Sequence, residues 1–170
     1  MEHYPWLVFL HVLSVLIFTL GHGASAAVLL RLRAETDPVR LGALLDLSRW
    51  SLNIAGLGLL GVLITGIAAG VIGSWLGTGW FWASLALFLV VGGLMTPLGR
   101  GYLDQVRQGL GVATGNRKKD AVAAPVLAPG KLAVVLRSSR PLVISAVGVS
   151  GLAVLLWLMM FKPFRPAARP

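Results

Sequence analysis

Residues 51–98 read SLNIAGLGLLGVLITGIAAGVI (51–72), GSWLGTG (73–79) and WFWASLALFLVVGGLMTPL (80–98), without one Lys, Arg, Asp or Glu. A helix that crosses a bilayer needs about 20 consecutive apolar residues, and each of the two long runs supplies them. The segment between the runs is too short and too uncharged to form a domain of its own. It therefore predicts a tight antiparallel hairpin of two transmembrane helices.

Two further apolar runs of similar length flank this hairpin, at 6–30 and 141–161, and neither contains a charged side chain. The chain of 170 residues is 56% hydrophobic and 12% charged, whereas soluble domains have about 45–50% and about 25%. We therefore predict an all-α membrane protein, in which residues 1–170 form a single four-transmembrane-helix bundle.

The distribution of Lys and Arg predicts how the bundle is oriented. Twelve of the fifteen Lys and Arg residues lie in the predicted loops 31–50 and 99–140, and three lie after residue 161. Because cytoplasmic loops carry the excess of basic residues, both long loops are predicted in the cytoplasm and both termini outside. Six aromatic residues agree with this N-out/C-out orientation, since all fall near the predicted outer interface: Tyr4, Trp6, Trp75, Trp80, Trp82 and Trp157.

The cytoplasmic loops are predicted to contain short interfacial helices. Asp37-Pro38 is typical of an N-cap followed by proline at the first helical position. This signal predicts an interfacial helix that leads into the second span, and Tyr102–Leu110 is expected to form a similar helix after the third. The stretch 121–136 is apolar but too short to span, so we expect it to lie on the surface or to be partly re-entrant.

The net charge of +9 bears on partners. In so apolar a chain it indicates cytoplasmic loops that lie against anionic headgroups of the lipid bilayer, and not a nucleic-acid partner. The motif Gly66-x-x-x-Gly70 permits close helix packing, either inside the chain or in a homo-oligomer or a partner membrane subunit. The absence of cysteine excludes disulfides and thiolate chemistry.

His11 and His22 are the candidate functional residues of the first span. Histidine inside a membrane is rare and usually faces the bundle interior. The two residues are 11 positions apart, close to three helical turns, which places both rings on one face. The simplest interpretation is that each histidine bonds a carbonyl, Ser or Thr on a neighbouring helix. Asn53 and Thr65 of the second span are likewise interpreted as interhelical hydrogen-bond partners.

The sequence Leu10-His11-Val12-Leu13, followed by a glycine near the helix middle, resembles small four-helix bacterial membrane proteins of unknown function. Those proteins in turn resemble the membrane domain of copper-resistance protein D and cytochrome-b-like bundles. The resemblance implies haem b or copper as a cofactor at His11 and, by extension, at His22.

The residue inventory limits a haem site. Bis-histidine haem in a bundle needs one His from each of two facing helices, whereas His11 and His22 share a helix. A symmetric dimer, an imported partner or a His/Met pair remains, and Met95 falls in the inner half of the third span, as His22 does in the first. Near the outer surface, a soft ligand set for Cu(I) is available: His3, His11, Met159 and Met160.

Three functions follow from these patterns. The preferred one is a non-catalytic helical module or subunit of a bacterial-type inner (plasma) membrane. The second is a b-type haem or copper protein that uses His11 or His22 for electron transfer or metal handling, and the third is a small-solute transporter. No span contains a carboxylate, and the chain lacks a phosphate-binding glycine loop and a His-Glu-x-x-His motif, which argues against a soluble-type active site.

Overall fold

Four long helices make up most of the molecule. The computed structural model describes residues 4–112 and 129–164. The helices within them are α1 (Tyr4–Leu32), α2 (Pro38–Ile72), α3 (Gly79–Gly109), the short α4 (Pro129–Leu136) and α5 (Arg140–Phe161). The four long helices, the last counted from Gly130, are apolar and long enough to cross a membrane. The prediction of an all-α, multi-pass four-helix membrane bundle is confirmed.

The second and third spans are longer than predicted at the ends that carry the basic loops. The expected interfacial helix after Asp37 is the first part of α2, and Tyr102–Leu110 is mostly the last part of α3. Asp37 caps α2, because its Oδ1 accepts a hydrogen bond from the N–H of Val39 at 2.9 Å. Charged residues therefore end the apolar runs without ending the helices: both segments are helical, as predicted, and each is continuous with its span.

The loop before the last span is only partly described. Of the stretch 121–136, residues 129–136 form α4, and residues 121–128 lie outside the described residues. α4 packs against the end of α3, where the side chain of Leu132 fills the space that Gly109 leaves open. Leu136 is buried in the same region.

The bundle consists of two helical hairpins, α1–α2 and α3–α5. α1 packs closely along α2, and α3 along α5, whereas the pairs α1–α5 and α2–α3 touch at few places. The second and third spans are therefore joined by a short turn, as predicted, but they do not pack as a tight hairpin, because each packs against another helix instead. Glycines allow the closest approach: a Cβ on Gly58 would lie 2.7 Å from Cα of Phe18, and a Cβ on Gly21 would lie 2.6 Å from the backbone N of Ala55.

We call the two ends of the bundle the turn end, where residues 73–78 join α2 to α3, and the loop end, where α1 joins α2. The hairpins are held together at the loop end by one buried apolar cluster to which all five helices contribute. Its members are Val28, Leu29, Leu32, Leu41, Leu45, Tyr102, Leu103, Val106, Leu136 and Ile144.

Glu35 organises the short connection between α1 and α2. Its carboxylate accepts hydrogen bonds from the backbone N–H groups of Thr36 at 3.1 Å and Asp37 at 3.3 Å, and it pairs with Arg31 at 3.3 Å. The N–H of Asp37, followed by that of Thr36, stabilises the charged form and lowers the pKa of Glu35 below its ordinary value of 4.5. Ionised Glu35 therefore holds the α1–α2 connection.

We expect this stabilisation to disappear in acid. Because folding lowers the pKa of Glu35, its ionised carboxylate contributes fully to the free energy of unfolding above pH 4.5. This contribution is lost as the pH falls through the pKa of Glu35 in the folded state. Glu35→Gln should lower the melting temperature at pH 6.5, and its difference from the parent chain should narrow at pH 3.5. Asp46→Asn, at an exposed position on α2, is the control. A difference that stays constant between the two pH values would contradict the assignment.

Candidate functional site

Two cavities lie between the hairpins, stacked along the bundle. The turn-end cavity has a volume of about 260 Å³ and the loop-end cavity one of about 290 Å³, and Phe88 lines both. Each cavity is mainly apolar and contains one histidine and one methionine. His11 and Met159 line the turn-end cavity, and His22 and Met95 line the loop-end cavity.

His22, which lines the loop-end cavity, has a buried polar atom that is unused. Its ring stacks on Phe18 with the ring centroids 5.4 Å apart, and its Nε2 is buried without a hydrogen-bond partner among the described residues. Burying an imidazole nitrogen without a partner costs free energy, so such an atom indicates a structural compromise or a ligand.

Gly148 of α5 brings His22 and Met95 together. A Cβ at position 148 would lie 2.6 Å from Nε2 of His22 and 3.0 Å from Cε of Met95. Two side chains, one from α1 and one from α3, therefore lie against the same glycine, and any larger residue there would displace them. The sequence places His22 and Met95 in the same half of the membrane, and the structure shows that they are neighbours.

Ser145 adds a second unused polar group to this cavity. It lies nearly one turn before Gly148 on α5, lines the cavity, and its Oγ is buried without a partner among the described residues. Thr96 also lines the cavity, but its Oγ1 donates to the carbonyl of Gly92 at 2.8 Å. No sequence signal marked Ser145, because a serine in an apolar helix usually bonds its own backbone.

His11 is satisfied by a neighbouring helix, as the simplest interpretation of the sequence predicted. Its Nδ1 lies 3.0 Å from Oγ1 of Thr65, which itself donates to the carbonyl of Gly61 at 2.6 Å. The Thr65 hydroxyl can accept from Nδ1 of His11 or donate to it, so it is a hydrogen-bond partner for His11 in either tautomer.

The predicted outer ligand set is only partly assembled. Met159 lines the cavity with His11, whereas Met160, on the next position of the helix, is 71% exposed. His3 lies outside the described residues. The described part of the chain contains no group of three His, Asp or Glu residues that would hold a metal ion.

Other predicted polar and glycine contacts are made inside the chain or not at all. Gly66 packs against the ring of His11 and Gly70 against Phe81, so the Gly-x-x-x-Gly motif forms an intramolecular face. Asn53, expected to bond a neighbouring helix, is exposed on α2 instead. The helix rotation that directs Ser51 and Ala55 inward turns Asn53 outward, so the prediction for Asn53 was wrong.

A bis-histidine haem cannot form across two helices from the described residues of one chain. His11 and His22 both belong to α1, they line different cavities, and they are the only histidines in residues 4–112 and 129–164. His22 and Met95, on α1 and α3, both lie against Gly148, and imidazole and thioether groups are ligand types that suit a soft metal ion. Comparison with protein-family models, curated proteins and solved structures gave no match.

Proposed function

We propose that this chain is a non-catalytic module of a bacterial-type inner (plasma) membrane, and that its two hairpins hold a ligand at His22. The observation that carries the proposal is the buried, unpartnered Nε2 of His22 in a cavity lined by all four long helices. Binding pockets are commonly apolar with few polar groups, and they often lie between the helices of a bundle. The loop-end cavity matches that description.

The ligand that suits these residues best is Cu(I). Nε2 of His22 and the thioether sulfur of Met95 would hold it, because imidazole and thioether groups are the ligands of a soft ion. Met/His ligation also occurs on haem iron, which makes haem b the second candidate. Either metal would supply one-electron transfer inside the membrane.

The surface of the loop end suits a membrane with anionic lipid. Its described basic side chains are largely exposed and lie just beyond the apolar parts of the helices, where Lys and Arg attract acidic headgroups. This supports the predicted N-out/C-out orientation, with the loop end in the cytoplasm. The exposed arginines are Arg31, Arg40, Arg49, Arg100, Arg137 and Arg140.

Metal analysis and a visible spectrum of the protein purified in mild detergent test the ligand. We expect about one copper per chain, or a Soret band that shifts on reduction, and we expect His22→Ala and Met95→Leu to remove the signal. His11→Ala is the matched control, since His11 lies on the same helix but lines the other cavity, and it should keep the ligand.

The outcomes separate the candidates. Copper that depends on His22 identifies the ion, and a Soret band that depends on His22 identifies haem. A colourless, metal-free protein from cells supplied with copper and haem, with a melting temperature unchanged by His22→Ala, would overturn the ligand proposal.

A further inference from the structure

Lys162 ends α5 in an unusual conformation that directs its charge onto aromatic rings. Its φ of 45° lies in the left-handed region, in which helices commonly end but which few non-glycine residues adopt. Its Nζ lies 4.5 Å from the ring centroid of Trp75 and 5.5 Å from that of Trp80. The ammonium group is therefore held in place by two cation–π contacts.

The charge of Lys162 has no carboxylate partner among the described residues. The ion pairs of the described chain use Glu35, Asp37 and Asp104, all at the loop end. Cation–π contacts hold an ammonium group, yet they leave its hydrogens free to donate to an anion. Lys162 is thus a preorganised positive charge at the turn end.

Trp80 provides an unused donor beside this charge. It is 8% exposed, and its Nε1 is buried without a hydrogen-bond acceptor among the described residues. The neighbouring indoles differ, because Nε1 of Trp82 donates to the carbonyl of Leu76 at 2.8 Å and Nε1 of Trp75 donates to the hydroxyl of Tyr4 at 3.3 Å. A buried indole N–H without an acceptor is the second feature that points to a ligand.

Lys162 and Trp80 line the same cavity, the turn-end cavity, whose other walls are mostly apolar. Val8, Ile67 and Leu85 contribute to those walls. Two donors beside an apolar space suit a molecule with an anionic head and a hydrocarbon chain. The available volume of about 260 Å³ accommodates part of such a chain.

We propose that the turn-end cavity binds a fatty acid, whose carboxylate accepts hydrogen bonds from Nζ of Lys162 and from Nε1–H of Trp80. Two donors match the two oxygens of a carboxylate, whereas a phosphate headgroup offers three oxygens and a larger charge. The site is separate from His22, which lines the loop-end cavity beyond Phe88.

Binding of tritiated palmitate to the protein in phosphatidylcholine nanodiscs tests this proposal, with empty nanodiscs as the partition blank. We expect about one palmitate per chain. Lys162→Gln should weaken binding about tenfold, since a hydrogen bond to a charged group is lost. Lys162→Arg should retain most of the affinity. Trp80→Phe keeps an aromatic ring but removes the N–H, so we expect an intermediate loss of about threefold.

Two control variants separate a specific site from a general attraction between palmitate and basic residues. Lys131→Gln removes an equal charge at the loop end and should leave palmitate binding unchanged, as should Glu2→Gln, whose carboxylate lies outside the described residues. Four results would each overturn the proposal. Palmitate binding could equal the blank, or Lys162→Gln could leave it as strong as in the parent chain. Methyl palmitate could compete as well as palmitate does, or binding could occur only in Glu2→Gln. Tighter binding of palmitoyl lysophosphatidate than of palmitate would overturn the carboxylate assignment.

Discussion

Gly58→Ala should destabilise the bundle, whereas Gly56→Ala, two residues earlier on the same helix, should stabilise it. A Cβ on Gly58 would lie 2.7 Å from Cα of Phe18, and a Cβ on Gly56 would meet no atom within 4 Å. Alanine has a more favourable helix propensity than glycine, by about 1 kcal/mol, and this gain in stability applies at both positions. Overpacking against a backbone costs about 1–3 kcal/mol and acts only at Gly58.

Thermal unfolding in one detergent, followed by circular dichroism, measures the difference. We expect the melting temperature of Gly58→Ala to fall by several degrees and that of Gly56→Ala to stay equal or rise. Gly21→Ala and Gly23→Ala repeat the comparison on α1, because a Cβ on Gly21 would contact the backbone of Ala55 and one on Gly23 would contact nothing. Equal effects within each pair would show that α1 and α2 do not pack backbone to backbone at these glycines.

The number and order of the helices follow from hydropathy, because a bilayer requires long apolar helices and little else forms there. The helix ends do not follow from it. α2 begins at Pro38, before the apolar run, and α3 continues through Pro97 to Gly109. Hydropathy indicates where a helix leaves the apolar part of the bilayer. The helix itself continues as long as backbone hydrogen bonds and side-chain packing stabilise it, and in α3 the packing comes from Tyr102 in the buried cluster.

The candidate site was predictable only in part. His11 and His22 stood out because ionisable residues are rare in membranes, and Thr65 stood out as an interhelical partner. Which side chains meet across two helices depends on how far one helix is shifted and rotated against the other, and no local sequence pattern specifies that shift. The sequence therefore predicted a bond for His11 but did not distinguish His11 from His22, whose Nε2 is unpartnered among the described residues.

Lys162 is a candidate site residue that no sequence signal marked. By charge count it is one of three basic residues after the last span, and nothing in the surrounding sequence separates it from Arg165 or Arg169. Its contacts depend on the left-handed turn at the end of α5 and on the placement of Trp75 by the turn 73–78. Both arise from tertiary structure, so a charge that the sequence assigns to the tail is found over two rings of the bundle.

Single-cysteine labelling should give an all-or-none answer on orientation. The chain has no cysteine of its own, so Gly77→Cys and Thr36→Cys each create one reactive thiol, at the turn end and the loop end. Both positions are exposed, and a side chain at Gly77 would meet no atom within 4 Å. In intact cells, a membrane-impermeant maleimide should label Gly77→Cys, and Thr36→Cys should react only after permeabilisation, because basic loops stay in the cytoplasm.

The reverse labelling pattern would overturn the N-out/C-out orientation and move both proposed sites with it. With the expected pattern, the cavity of Lys162 lies near the outer surface and that of His22 nearer the cytoplasm. A fatty acid would then enter from the outer leaflet, and a ligand of His22 from the inner half of the bundle.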